Sequence, residues 1–185
     1  MDSKKVATFI KLAGQKISKD LITGDPATRE LGAQLLLSET LEYVIKGLGV
    51  IPVVDGTAIS DPNALKYKAV NKPDKVEMID GLADVAYTMY WNALRLGIPL
   101  EEAHELVCDN NLEKFVRLDA WNDGARALER SEWDCGKSID WPKEVVQVEV
   151  IEVGSEFYAV GKDETGKVRK PSSYKSVDLS SLLSN

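Results

Sequence analysis

The sequence predicts an all-α fold, in which a core of four helices carries a small C-terminal β-hairpin and an extended tail and assembles into oligomers. Apolar residues recur at helical spacing in four segments, and proline, aspartate and glycine mark the ends of those segments. Only after residue 145 does the pattern change to the β-branched, turn-bounded runs that are typical of strands. Helices therefore account for most of the predicted core.

The first two helices are defined by their end residues. Residues 4–13 carry apolar side chains three and four positions apart and are followed by Gly14, which predicts a short first helix. A longer periodic segment begins after Asp25 and runs to about Gly47. Asp25 is predicted to cap this second helix, with Pro26 at its first position.

A long connection precedes the third and fourth helices. Residues 49–73 contain several prolines among short apolar pieces, which predicts irregular structure with one helical turn over 63–69. The third helix is expected over 73–96, where Gly97 stops it. Pro99 begins the fourth, which is expected to end between Phe115 and Asp123.

The C-terminal part of the chain has a different pattern. Residues 145–153 and 156–160 are rich in β-branched side chains and flank a Gly-Ser turn, which predicts a β-hairpin. Because a two-stranded ribbon is weak alone, it must pack on the helices or on another subunit. We therefore divide the chain into a helical core, 1–118, and a segment of irregular structure, hairpin and tail, 119–185.

The charge of the chain limits its partners. The 185 residues include 23 basic and 30 acidic ones, and the formal net charge of -7 disfavours nucleic acid polymers and anionic membranes. A small anionic substrate remains compatible, because a divalent cation inverts the charge of an acidic cluster. No apolar run is long enough to cross a bilayer and no signal-like segment is seen, so a cytoplasmic protein is expected.

Histidine and cysteine offer little chemistry here. The one histidine, His104, argues against histidine-based zinc sites and a Ser-His-Asp triad. Cys108 and Cys135 match no paired metal or redox spacing and are expected to be free thiols. Carboxylates are the remaining candidates for a reactive site.

Two carboxylates lie on an apolar face of the second helix. At about 100° per residue, Glu42 falls close to Leu31, Glu39 lies within a quarter turn of it, and Leu35 stands between the two. Acidic side chains are almost never buried alone, so this arrangement calls for a cation, a base or a proton. The opposite face is also apolar, which favours enclosure by other helices, including across a dimer interface.

The third helix repeats this pattern. Asp80 and Asp84 are one turn apart, and Tyr87, Trp91 and Leu94 share their face. Like charges this close repel unless a positive charge lies between them. A solvated surface is the alternative for either pair alone, but two pairs in register with apolar stripes predict a bundle-core site for a hard divalent cation.

Several segments of the chain, and the order in which they occur, resemble segments of the all-α nucleoside triphosphate pyrophosphohydrolase superfamily. This superfamily includes MazG-like, phosphoribosyl-ATP pyrophosphohydrolase-like and phage MazZ-type enzymes. Residues 35–43 are similar to its ExxE helix and 80–87 to its second acidic helix. Further similar segments are 13–15 (N-terminal loop), 96–102 (linker), 110–115 (N-x-x-K) and 163–179 (C-terminal tail of bacterial and phage members).

The resemblance implies hydrolysis of a (d)NTP to the monophosphate and pyrophosphate, with Mg²⁺, or Mn²⁺ as a substitute, in a homodimer or homotetramer. It implies that Glu39 and Glu42 are catalytic and that Glu39, Glu42, Asp80 and Asp84 hold the metal. It also implies phosphate or nucleotide contacts from Asn111, Lys114, Lys167, Lys170 and Tyr174. A base pocket is predicted from Trp91, Tyr87 and Gln15, because Trp91 follows Asp84 on the same helical face at about 10 Å along the axis, although the family commonly has a small residue at this position.

Three functional hypotheses stay open. The similarity to MazZ-type enzymes favours (d)GTP as substrate and, for a phage-encoded chain, the host cytoplasm as its location. A pyrimidine-specific enzyme that lowers dUTP or dCTP pools is the first alternative. The second is a helical interaction module without turnover, because Ser38 and Gly81 stand where the family has acidic residues.

Overall fold

Four α-helices and two antiparallel sheets form the described chain, which is a computed structural model covering residues 3–70 and 72–183. The helices are α1 Ser3–Leu12, α2 Pro26–Glu42, α3 Lys75–Leu96 and α4 Leu100–Leu112. The strands are β1 Val53–Val54, β2 Thr57–Ala58, β3 Val116–Arg117, β4 Arg126–Ala127, β5 Gln147–Val153 and β6 Glu156–Lys162. Short 3-10 turns lie at Arg130–Glu132 and Ser180–Leu183.

The prediction of an all-α, MazG-like four-helix bundle is wrong. The fold is mixed, with 41% helix and 13% strand, and the four-stranded sheet has the order β3-β6-β5-β4. The predicted hairpin is present as β5 and β6, but two short extended segments pair with its outer edges. Each of these segments is two residues long, which is too short to show an alternating pattern in the sequence.

The predicted start of α2 and the predicted stop of α3 are confirmed by local structure, whereas the fourth helix ends at Leu112 and not between Phe115 and Asp123 as predicted. The Asp25 carboxylate accepts a hydrogen bond from the Thr28 backbone N–H at 2.7 Å, with Pro26 in the first turn of α2. Gly97 adopts a left-handed φ of 70° directly after α3, as expected for a glycine that ends a helix. The helical turn predicted over 63–69 is wrong, because that segment is irregular apart from the end of a hydrogen-bonded turn at Asn63.

The chain divides into two compact units. Unit 1 comprises Met1–Ile17 and Tyr87–Asn185, and unit 2 comprises Ser18–Ala86, so that α3 begins in one unit and ends in the other. The boundary that we placed at residue 118 from the sequence falls inside unit 1.

Unit 1 is organised around its four-stranded sheet, which is covered on both faces. One face packs against residues 118–146, which lie between β3 and β5 and which we call the tryptophan-rich segment. The cluster on this face contains Val148, Val150, Ala159, Leu118, Leu128, Ile139, Val145, Trp121, Trp133 and Trp141. The other face packs against helical residues; this cluster contains Val160, Ile151, Tyr158, Val168, Leu12, Ala13, Phe9, Leu112 and Phe115. The expectation that the hairpin packs on the helices is therefore confirmed.

The tryptophan-rich segment lies so close to the sheet that only glycine fits beneath it. A β-carbon placed on Gly161 of β6 would lie 2.4 Å from Cε3 of Trp141. The Trp141 indole N–H donates to the Trp133 carbonyl at 2.9 Å, and the Trp121 indole N–H donates to Gly124 at 2.7 Å. The segment between β3 and β5 thus supplies one wall of the unit 1 core.

Unit 2 has no comparable core. It contains α2, a π-helical turn Tyr43–Gly47, the two-stranded β1–β2 hairpin and the first half of α3. Apart from Pro62, no apolar side chain described in this unit is buried. Among the described residues of the whole chain, no helix has both the length and the hydropathy needed to cross a membrane.

Candidate functional site

The first acidic pair lies at the C-terminal end of α2. Glu39 and Glu42 are both exposed. The neighbouring Ser38 is buried, and its hydroxyl group donates a hydrogen bond to the Leu35 carbonyl. The Asp25 cap fixes where α2 begins and hence which face the pair occupies.

A π-helical turn follows directly after Glu42. Tyr43–Gly47 adds one residue to the helical repeat, and the Leu48 N–H closes the turn on the Tyr43 carbonyl at 2.9 Å. Gly47 is close to the Tyr43 ring, because a β-carbon there would lie 3.2 Å from Cδ2. Such turns occur often at functional sites, since they redirect side chains within an otherwise regular helix.

The π-helical turn places a cation against the pair. Lys46 Nζ lies 2.8 Å from Glu42 Oε1, and the hydrogen bond to Glu42, together with the nearby charges of Glu42, Glu39 and Asp61, raises the pKa of Lys46. The side chains of Lys46 and Glu42 are both at least half exposed, so burial lowers the pKa of Lys46 only weakly. A metal ion at Glu42 would therefore have to displace an ammonium group.

The second acidic pair lies in the first half of α3. The Asp74 carboxylate accepts hydrogen bonds from the N–H groups of Val76 and Glu77 and so caps the helix. Asp80 and Asp84 follow one turn apart, and both are exposed. The prediction that these carboxylates face a core is not met within one chain.

One chain does not gather the four carboxylates into a metal site. Within residues 3–70 and 72–183, no group of three or more His, Cys, Asp or Glu side chains is placed to hold a single ion. The described part of α2 also shows no extensive packing against α3. The oxygen ligands suit Mg²⁺ chemically, but the single chain presents them as two separate pairs.

The residues proposed for base recognition on α3 are accessible. Tyr87 is 70% and Trp91 55% exposed, and they lie four residues apart on one helical face. Gln15 is exposed in the loop after α1, where its backbone N–H donates to the Ile10 carbonyl at 3.0 Å. Two aromatic rings on one accessible face are suited to stacking on a base.

The residues proposed for phosphate binding cluster in part around the end of α4. Lys114 Nζ donates to Asn111 Oδ1 at 2.6 Å and lies 5.6 Å from the centre of the Phe9 ring. Lys170 Nζ lies 4.5 Å from the centre of the Tyr174 ring. Tyr174 in turn donates a hydrogen bond from its hydroxyl group to Asn110, the neighbour of Asn111.

Lys167 belongs to a tight turn at the start of the tail. Its backbone N–H donates to Asp163 Oδ1 at 3.0 Å, and Arg169 Nε donates to Asp163 Oδ2 at 2.8 Å. Burial alone would raise the pKa of Asp163, but the hydrogen bonds from Thr165 and Lys167 and the charge of Arg169 hold it below its usual value. Asp163 therefore serves to fix the turn.

Sequence reasoning did not identify Asn110, which is 8% exposed and connects α4 to the tail. Its side-chain N–H donates to the Lys175 carbonyl at 2.6 Å while its carbonyl oxygen accepts from Tyr174. The only sequence signal is the Asn-Asn pair at the end of α4, because a polar side chain that ends up buried must find partners.

An open cleft lies in the tryptophan-rich segment, lined by Leu118, Trp121, Cys135 and Lys137 among others. Three of the charged residues that line it, Asp119, Glu132 and Lys137, form ion pairs. Lys137 binds Asp119 at 2.9 Å, and Arg126 binds Glu132 at 2.7 Å. Each of these four charged side chains already has a partner, so these ion pairs give no reason to expect a ligand.

No protein-family model, curated protein or solved structure matches the chain. The likeness to MazG-like enzymes therefore rests on the sequence segments quoted above.

Proposed function

We propose that the protein is a cytoplasmic Mg²⁺-dependent (d)NTP diphosphatase, with (d)GTP as its first candidate substrate, which acts as a homo-oligomer. The observation that carries this proposal is that two acidic pairs lie on two exposed, apolar helices. Glu39 and Glu42 lie on α2 and Asp80 and Asp84 on α3. In an oligomer, a second copy of the chain would cover these apolar surfaces and would contribute its own carboxylates to the metal site.

The exposed apolar surface of α3 spans about half of the helix circumference and is comparable in area to a subunit interface. Six large apolar side chains on this 22-residue helix are each between 55 and 84% exposed: Val76, Ile79, Leu82, Tyr87, Trp91 and Leu94. At roughly 150–200 Å² per fully exposed side chain, they offer on the order of 700 Å². A standard protein interface takes about 800 Å² from each partner.

The apolar surface of α2 also favours enclosure. Leu35, Leu36 and Leu37 are consecutive and each about 40% exposed, so they point to different sides of the helix. A surface helix of a stable monomer has one polar face, whereas this pattern is typical of a helix with neighbours around it. The sequence-based prediction of a homodimer or homotetramer is thus retained as part of the proposal.

The chemistry follows from the four carboxylates. Bound Mg²⁺ would neutralise phosphate charge and lower the pKa of a water molecule. Glu39 is the candidate base that accepts the proton of the attacking water, and Glu42, Asp80 and Asp84 are the other metal ligands. Water adds to phosphorus, the bond between the α and β phosphates breaks, and pyrophosphate leaves.

Recognition of the nucleotide is assigned to unit 1. Tyr87 and Trp91 are candidates to stack on the base, because both rings are accessible on one face of α3. Asn111, Lys114, Lys167, Lys170 and Tyr174 are the candidates for phosphate or sugar contacts through charge-assisted hydrogen bonds.

The test is release of pyrophosphate from each of the (d)NTPs in the presence of Mg²⁺. We expect turnover with (d)GTP and a loss of at least ~100-fold in Glu42→Gln, because that change removes a charged ligand. Glu102→Gln is the matched control, since Glu102 is an exposed acid of α4 outside the proposed site. Turnover of dUTP or dCTP alone would establish the pyrimidine alternative.

A non-catalytic interaction module is the second candidate. It is favoured by the separation of the acidic pairs in one chain and by Ser38, which is buried where the family has an acidic residue. An oligomer of normal fold that releases no pyrophosphate from any (d)NTP, with either Mg²⁺ or Mn²⁺, would support this candidate and refute the enzyme.

A further inference from the structure

The C-terminal tail is fastened to the end of α4 by one buried side chain. Asn110 uses both ends of its amide, since its N–H donates to the Lys175 carbonyl at 2.6 Å and its oxygen accepts from the Tyr174 hydroxyl group. Both partners are more than 60 residues away along the chain. A second N–H contact reaches Glu113 at 3.3 Å.

The tail is also held upstream of this contact. Pro171 is buried, the Ser172 N–H donates to the Asp140 carbonyl at 2.8 Å, and the Asp140 N–H donates to Ser172 Oγ at 2.9 Å. These contacts fix the path of the tail, whereas Asn110 fixes where the Tyr174 ring lies. Loss of a buried amide with two such partners leaves unsatisfied groups, which is costly.

The position of the Tyr174 ring determines the position of an ammonium group. Lys170 is exposed, and its Nζ lies 4.5 Å from the ring centre, within the range of a cation–π contact. A lysine side chain that is free to rotate loses conformational entropy when it binds an anion. Anchoring by Tyr174 would lower that loss before the anion arrives.

We propose that Asn110 is a positioning residue that locks the tail so that Tyr174 presents Lys170 to a polyphosphate. The inference rests on the proposed function for the identity of the anion, but its geometry does not involve the carboxylates. Asn110 itself makes no contact with the anion.

Two measurements test this inference, and neither needs catalysis. The first is limited tryptic cleavage of the Lys175–Ser176 bond, whose carbonyl group is the one that Asn110 holds. The second is calorimetric binding of inorganic tripolyphosphate in buffer with EDTA, in which no metal bridges the anion to the acidic pairs.

Three variants separate the roles. Asn110→Ala should speed cleavage after Lys175 about tenfold and weaken tripolyphosphate binding several-fold, because the hydrogen bonds that hold the tail are lost. Lys170→Gln should weaken binding to a similar extent without changing the cleavage rate. Asp178 is an exposed tail residue that follows the part held by Asn110, so Asp178→Ala should alter neither tripolyphosphate binding nor the cleavage rate.

Tyr174→Phe gives a graded check, because it removes the hydroxyl group but keeps the ring. We expect an effect on both measurements smaller than that of Asn110→Ala. The inference is overturned if the wild-type protein fails to bind tripolyphosphate, if Asn110→Ala leaves cleavage unchanged, or if cleavage quickens with unchanged binding. Failure of the proposed enzyme would instead appear as tight binding without pyrophosphate release.

Discussion

The two units of the chain differ in whether their described residues form a buried apolar cluster. In unit 1, Val148, Val150 and Val160 are almost completely buried between helices on one face of the sheet and tryptophan rings on the other. In unit 2, Leu82 is 64% exposed, and Leu35, Leu36 and Leu37 of α2 are about 40% exposed. The comparison teaches that only unit 1 contains the burial that stabilises a fold within one chain.

The consequence for unit 2 is energetic. Ordering a residue costs about 1–2 kcal/mol in backbone entropy, and apolar burial is the main contribution that offsets it. The described part of unit 2 lacks such burial, so its stability has to come from another surface. The proposed second copy supplies that surface and places it at the helices that carry the acidic pairs.

The strongest way to break this comparison is Leu82→Asp. A charge at this exposed apolar site is tolerated in a monomer but is costly once it is covered by a partner. We expect dissociation to the monomer in sedimentation velocity and a loss of pyrophosphate release of at least ~100-fold. Thr88→Asp, on the polar side of α3, is the control for the oligomer, which it should leave intact. An unchanged sedimentation coefficient for Leu82→Asp would refute the proposed interface.

A second measurement sharpens the description of unit 1. Burial is the main cause, with the Asp134 charge as a smaller one, that raises the pKa of Cys135 from 9.0 to about 11. Since the thiolate is the reactive form, alkylation at pH 8 should be about 100-fold slower than for an ordinary thiol. The folded-state pKa is raised, so stability from the neutral thiol is present below pH 9.0 and is lost as the pH rises through about 11.

The check is a pH series of iodoacetamide labelling, with Cys135 followed by mass spectrometry of its peptide. Cys108, whose pKa is also raised by burial, serves as an internal comparison. Labelling of Cys135 that reaches its maximum near pH 9 would contradict the raised pKa of this half-buried thiol.

A third, smaller effect compares one glycine from each unit. Gly161→Ala would press a methyl group against Trp141 and should lower the free energy of unfolding by about 1–3 kcal/mol. Gly32→Ala in α2 has no atom within 4 Å of the added carbon and should raise helix stability by up to ~1 kcal/mol. Urea unfolding followed by tryptophan fluorescence measures the first change, and circular dichroism measures the second. Equal effects at the two sites would mean that Trp141 does not close over β6.

The sequence was sufficient for the features that local chemistry determines. The start of α2 and the end of α3 were predicted because Asp25 and Pro26 specify a start and Gly97 a stop within a few residues of the chain. The β5–β6 hairpin followed from two β-branched runs around a Gly-Ser turn. In each case the signal and the structure involve the same short segment.

The errors concern structure that depends on distant partners. β3 and β4 are strands only because β6 and β5 offer them free edges, so the all-α prediction failed. Asn110 looked like an ordinary helix residue until the tail was seen to bind it. The acidic pairs of α2 and α3 do not form one metal site within a single chain, so their convergence stays a prediction about the oligomer.

The turn fixed by Asp163 has a consequence for the last part of the chain. It sends the backbone back along β6, where Lys162 pairs with Val168, and Val168 then closes the cluster that contains Phe9 and Phe115. The tail is therefore a structural lid over the helical side of the unit 1 core. A chain that stopped at Lys162 would open this interior to water, so the residues beyond the hairpin belong to the folding unit and are not an appendage.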